Sequence, residues 1–135
     1  MTSVHQAPPE HFGWLQQRTG CVLTSDFRAL EARQGARILG MVGYCNWTPN
    51  SVEAHMAVDS AIAWRALLPH VFAYPFESRD AMLAVIPENN PRSLALTRRF
   101  GFRETHRVRD GWAPGCDLIL FELRRAECRF LQKAS

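Results

Sequence analysis

From Arg37 onward the polarity of the chain has a clear period. Ile38 to Cys45 is an unbroken apolar run, the pattern of a strand buried on both faces. Thr48-Pro49-Asn50-Ser51 is a turn cluster. Beyond it Val52, Ala54, Met56 and Val58 alternate with Glu53, His55, Ala57 and Asp59. That alternation predicts a second strand, antiparallel to the first, with one apolar face and with Glu53 and His55 side by side on the other. Ser60 is a suitable N-cap for a helix carrying Ala61, Ile62, Trp64, Leu67 and Leu68, which Pro69 is expected to kink or restart. Ala81 to Ile86, closed by Pro87, reads as a buried strand. The strand–helix–strand order from Val52 to Ile86 therefore predicts a crossover with nearly parallel strands.

The sharpest helix signal follows. Asn90 is the N-cap, Pro91 takes the first helical position, and Gly101 follows the last turn, with Ser93, Leu96, Thr97 and Phe100 sharing one face. Phe102 to Val108 predicts a strand, Asp110 to Gly115 a turn, and Leu118 to Leu123 a final strand. Upstream, Phe12 to Gln17 suits a short helical turn, and an early strand is expected near Phe27–Ala32. The opening through Glu10 is polar and Pro-containing, and is expected to be poorly ordered. The reading is a mixed α/β fold, with antiparallel hairpins around one crossover.

At 135 residues, without a linker or repeat, the chain fits one domain over 1–135. Its 47% hydrophobic content argues against disorder. No run approaches the roughly 20 apolar residues of a membrane span, and Met1 to Glu10 lacks the features of a secretory signal. Cys21, Cys45, Cys116 and Cys128 form no C-x-x-C pair, so they are expected to be reduced, in keeping with a cytoplasmic location. The spacing of the cysteines and of His5, His11, His55, His70 and His106 predicts no metal. Charge is unevenly distributed. Ten basic residues against five acidic ones give +5 from Arg92 onward, leaving −2 before it. Almost all the basic residues are Arg, which grips phosphate in a fork. That points to a nucleotide cofactor or a nucleic acid, against a plainly solvated surface.

The stretch Asn89-Asn90-Pro91-Arg92-Ser93 through Phe100-Gly101-Phe102 resembles a hallmark of the GNAT superfamily of acyl-CoA-dependent N-acyltransferases. There, an Asn near the end of the fifth strand precedes a helix that carries a Ser and ends in Gly-Phe. Phe72-Ala73-Tyr74-Pro75-Phe76-Glu77 resembles the end of the third helix in the branch that includes ribosomal-protein N-terminal acetyltransferases. Val108-Arg109-Asp110-Gly111, with Asp117-Leu118-Ile119-Leu120, resembles that branch's closing hairpin. In scale the chain is similar to small phage-encoded proteins of GNAT type. The resemblance covers about Ile38 to Arg125, and its most specific part is the Asn-to-Gly-Phe segment.

The resemblance implies a mostly antiparallel twisted sheet with helices on both faces. It also implies that the strands near Val52–Asp59 and Ala81–Ile86 splay apart to admit the pantetheine arm of acetyl-CoA. Backbone groups at Met56, Ala57 and Val58 would pair with that arm. Ser60 and Arg65, at the start of the following helix, would face the pyrophosphate, and Asn89 and Ser93 would touch the cofactor. Arg98, Arg99 and Arg103 are candidates for the adenosine 3′-phosphate or for nucleic acid.

Two departures from the family pattern stand out. No glycine occupies Asp59 to Arg65, where the family has a Gly-rich pyrophosphate loop, and Asp59 brings a negative charge there. Thr97 stands where many members have a Tyr acid. His55 is the candidate base, since an imidazole accepts a proton near neutral pH, with Glu53 as its partner or substitute. Trp47 and Asn50 are candidates for the acceptor pocket, Trp47 equally for covering a core edge, while Tyr44 is expected in the core. The acceptor would be an amine on a protein, a small molecule or a nucleobase. The alternative is a GNAT fold that has lost CoA and binds nucleic acid or protein through its Arg-rich end. Association into a homodimer stays open.

Overall fold

The computed structural model describes residues 1–131, so Lys133, counted above among the basic residues, lies outside them. Seven strands form one sheet in the order β1-β2-β3-β4-β5-β7-β6. They are β1 (Ser3–Gln6), β2 (Arg28–Gln34), β3 (Arg37–Cys45), β4 (Ser51–Val58), β5 (Ala81–Pro87), β6 (Arg103–Ala113) and β7 (Cys116–Arg124). The helices are α1 (Phe12–Thr19), α2 (Ala61–Val71), α3 (Ala73–Phe76) and α4 (Pro91–Arg99). Among the described residues no helix is long and apolar enough to cross a membrane. The four cysteines are free thiols.

The apolar run of β3 is buried on both faces, as its composition requires, and it divides two cores. Val42 and Tyr44 face the larger one, with Val52, Leu67, Phe72, Met82, Phe100 and Phe121. Met41 and Cys45 face the smaller one, with Leu15, Phe27 and Ala29. Helices α2 and α4 cover the first face and α1 the second. Tyr44 is fully buried and donates its hydroxyl to the Val71 carbonyl at 2.7 Å, which makes it a core residue. Gly43 permits the close approach of α1, because a Cβ there would lie 2.3 Å from the Phe27 ring and 2.7 Å from Leu15 Cδ2.

Three sequence expectations need correction. The opening is not loose. Ser3–Gln6 pairs antiparallel with β2, from Ser3–Arg33 to Gln6–Leu30, and Ala7 N donates to Ala29 O at 2.8 Å. Backbone ladder bonds and Val4, packed on the larger core, hold a short edge strand too polar to show a period. Pro69 does not restart the helix, since α2 runs through it to Val71. The turn expected at Asp110–Gly115 is mostly strand, since β6 reaches Ala113 through an irregularity after Val108. Asp110 adopts a left-handed backbone (φ 53°), and its Oδ1 accepts from Gly115 N at 2.9 Å. An Asx residue can bridge a bulge in this way without ending a strand.

Candidate active site

Strands β4 and β5 run parallel and pair at Ser51–Ala81, Val52–Met82 and Glu53–Leu83. Beyond those pairs they part. On its other side β4 stays zipped to β3 as far as Val58–Gly40, and Asp59 N donates to Leu39 O at 2.7 Å. In an antiparallel ladder, hydrogen-bonded and non-bonded residues alternate. Counting back from Asp59, Ala57 and His55 turn their N–H and C=O toward β3, and Met56 and Val58 turn theirs into the gap. Of the three backbone positions expected there, Met56 and Val58 are available. The backbone of Ala57 is committed to β3.

An open cleft of about 790 Å³ lies between the start of α2 and the side of α4, lined by Val58, Asp59, Ser60, Trp64, Arg92 and Arg99 among others. Ser60 caps α2 by accepting from Ala63 N at 3.2 Å, which leaves the N–H groups of Ala61 and Ile62 without partners inside the helix. Trp64 stacks on Phe100, ring centroids 5.0 Å apart, and so ties α2 to the end of α4. Two arginines face the cleft from α4. Arg99 was a phosphate candidate in the sequence, but Arg92 was only one basic residue among many. The spacing of 92 and 99, two helical turns, was the available signal.

Other candidates fall elsewhere. Arg65 is exposed on α2 and does not line the cleft. Arg98 lies over the Phe121 ring at 5.6 Å, and Arg103 pairs with Glu127 at 2.9 Å. Asn89 is exposed in the turn after β5. Ser93 is half-buried in the first turn of α4, and its N–H donates to Asn90 Oδ1 at 3.2 Å.

Glu53 and His55 project from the opposite face of β4, toward α1, where both side chains are largely buried. His55 Nε2 lies 3.6 Å from Glu53 Oε1. Burial lowers the pKa of His55, outweighing the carboxylate of Glu53, which raises it. The ring is therefore neutral at pH 7 and can accept a proton. Glu53 is fixed from the other side, with Oε2 accepting from Asn46 Nδ2 at 2.6 Å and from the Cys45 thiol at 3.8 Å. The Cys45 thiol is pushed up to about 12, first by burial and then by the Glu53 charge, so it stays protonated. The donor atoms of Cys45, Glu53 and His55 lie within 4.8 Å of one another. Spacing along the chain puts Glu53 and His55 side by side, but Cys45 joins them only through the pairing of β3 with β4.

Asn46 owes its position to Asp26. It has a left-handed backbone (φ 54°), and Asp26 accepts from Asn46 N at 3.2 Å and from Trp47 N at 2.9 Å. The Thr24 hydroxyl first, and then these backbone N–H groups, keep the Asp26 carboxyl below its ordinary pKa. The two acceptor-pocket candidates do not join this cluster. Trp47 packs beside Tyr44 and Tyr74, on the larger-core side, between the guanidinium groups of Arg28 and Arg79. Asn50 is exposed, and its carbonyl accepts from the backbone of Asp80 and Ala81, which starts β5.

No protein-family model matches the chain, and no curated protein matches its sequence. Solved structures do match its fold. The IAA acetyltransferase of Bacillus cereus superposes with a TM-score of 0.73 at 16% identity, over 92% of this chain and 99% of the other. The spermidine/spermine N-acetyltransferase of Vibrio cholerae gives 0.70 at 10% identity, over 93% and 96%. A GNAT family acetyltransferase from Elizabethkingia anophelis, with acetyl-CoA bound, gives 0.64 at 14% identity, over 91% and 97%. The chain has the GNAT fold, with its seven-stranded, mostly antiparallel sheet and helices on both faces.

Proposed function

We propose that the protein is an acyl-CoA-dependent N-acyltransferase that moves an acetyl group from acetyl-CoA to an amine by direct attack. The amine nitrogen bonds the acetyl carbon, the C–S bond breaks, and CoA leaves as a thiolate that takes its proton from solvent. The observation that carries this reading is the parting of β4 from β5 beside an arginine-lined cleft. An extended pantetheine arm suits the free backbone groups of Met56 and Val58, and an anionic nucleotide suits Arg92, Arg99 and the N-terminus of α2. Asn89 and Ser93 do not line the cleft, and they are proposed as contacts on the resemblance of their segment alone. Acetyl-CoA supplies the activated thioester. The chain contributes fixed backbone donors where the thioester oxygen gains negative charge, and a gap that holds amine and acyl group together. His55, neutral and next to the point where the strands part, takes the proton that the amine must lose. Glu53, held by Asn46, orients the ring and stabilises it once charged.

The Arg-rich end gives less support to a nucleic-acid surface. Arg103 pairs with Glu127, Arg107 with Glu88 and Glu104, and Arg125 with Asp80. Calorimetric titration with acetyl-CoA, CoA and dephospho-CoA tests the reading, followed by mass spectrometry of candidate amines. Binding that weakens without the 3′-phosphate is expected. Absence of binding at millimolar ligand, weaker than about −4 kcal/mol, would leave only the fold.

A further inference from the structure

A carboxylate stands at the mouth of the cleft, where an anion would have to enter. Asp59 lines the cleft directly before Ser60, the cap of α2. No glycine between 59 and 65 lets the backbone wrap an anion, so charge carries more of the work there. An uncompensated Asp59 would repel a phosphate group that approached the helix end.

It is not uncompensated. Arg18, in the last turn of α1, reaches over the end of β4 from the opposite face of the sheet. Its Nε donates to Asp59 Oδ1 at 3.1 Å and its Nη2 to Oδ2 at 3.0 Å. Its Nη1 donates to the Trp14 carbonyl at 3.0 Å, and its guanidinium carbon sits 3.6 Å from the centroid of the Trp14 ring. One side chain is thus fixed at both edges and on one face. Pairs this exposed add little to stability, so the arrangement calls for a role other than holding the fold.

We propose that Arg18 is a positioning residue for the anionic ligand of this cleft. It neutralises and immobilises Asp59, so that a pyrophosphate can approach the N-terminus of α2. The claim rests on the acyl-CoA reading. It also makes the two singles differ in sign, since removing Arg18 frees a repulsive charge and removing the Asp59 charge makes Arg18 dispensable.

The test is a double-mutant cycle in the full chain, with CoA titrated into wild type, R18M, D59N and R18M/D59N, and melting temperatures alongside. R18M should weaken binding about tenfold, the scale of one unmasked charge near a surface. D59N should bind more tightly than wild type, and the double variant should match D59N within about twofold, because Arg18 acts only through Asp59. Should R18M fail to fold, R18Q keeps an amide toward Trp14 and gives the same reading. R18M binding like wild type would overturn the proposal. So would a double variant as weak as R18M, because Arg18 would then touch the ligand itself. A wild type that binds no CoA brings down the acyl-CoA reading and this proposal with it. A wild type that binds, with a flat cycle, brings down the Arg18 assignment alone.

Discussion

The two sides of β4 obey opposite rules. Toward β3 it is zipped from Cys45–Glu53 to Gly40–Val58, with α1 packed so tightly on one face that Gly43 has no room for a side chain. Toward β5 it keeps three residue pairs and then leaves its backbone open. One strand therefore serves as scaffold on one edge and leaves open backbone on the other. A gap can stay open only if the rest of the sheet is stable without it: the smaller core lies over the zipped strands, and the larger one reaches from β3 and β4 to β5 and β7. The proposed binding falls where ladder bonds have been withheld, and rigidity lies one strand away.

Substitutions on the two sides should therefore fail differently. The largest loss is expected on the zipped side. Gly43→Ala drives a methyl into the Phe27 ring and Leu15, and should lower unfolding free energy in urea by about 2–3 kcal/mol. At the parting point His55→Gln should leave the fold intact by circular dichroism and lower kcat/KM about 100-fold. Its pH behaviour sharpens the test. Burial holds His55 below 6.5, so the acid limb of kcat/KM should fall below that value, and the variant should lack it. The sign for stability follows. Below about pH 6.5 the unfolded chain binds a proton that the folded one resists, so stability declines on acidification and His55→Gln removes that part of the decline.

On the open side, Arg99→Met should weaken CoA binding about tenfold while changing stability by no more than about 0.5 kcal/mol. The smallest effect is expected at the start of α4. Asn90→Ala loses the cap of α4 and should cost about 1 kcal/mol, measured in the same urea titration.

The zipped side was legible in the sequence because burial writes a period. The β3 run, the β4 alternation, the Ser60 and Asn90 caps and the crossover to β5 all have local causes, and they stand where their residues predict. Polar structure was harder to read. Ser3–Gln6 is held by backbone bonds to β2, and a four-residue edge strand leaves no apolar signature. Asp110-Gly111 reads as a turn, yet here it bridges a bulge. The candidate site divided along the same line. Glu53 and His55 were visible as alternating residues on one face. The Asn46 and Cys45 contacts to Glu53, the Arg92–Arg99 wall and the Arg18 fork on Asp59 join elements far apart in sequence. Trp47 shows the converse, since a large aromatic beside a turn suits a pocket or a core edge alike, and only the packing of Tyr44 and Tyr74 shows that it lies against the core.

The central claim is that the gap beside β4 receives the acyl-CoA. The most direct measurement is amide hydrogen exchange at Met56, Ala57 and Val58, resolved by NMR with and without acetyl-CoA. Slowed exchange at Met56 and Val58, with Ala57 already protected by β3 and little changed, is the predicted result. Ligand binding that leaves Met56 and Val58 exchanging as fast as before would contradict it.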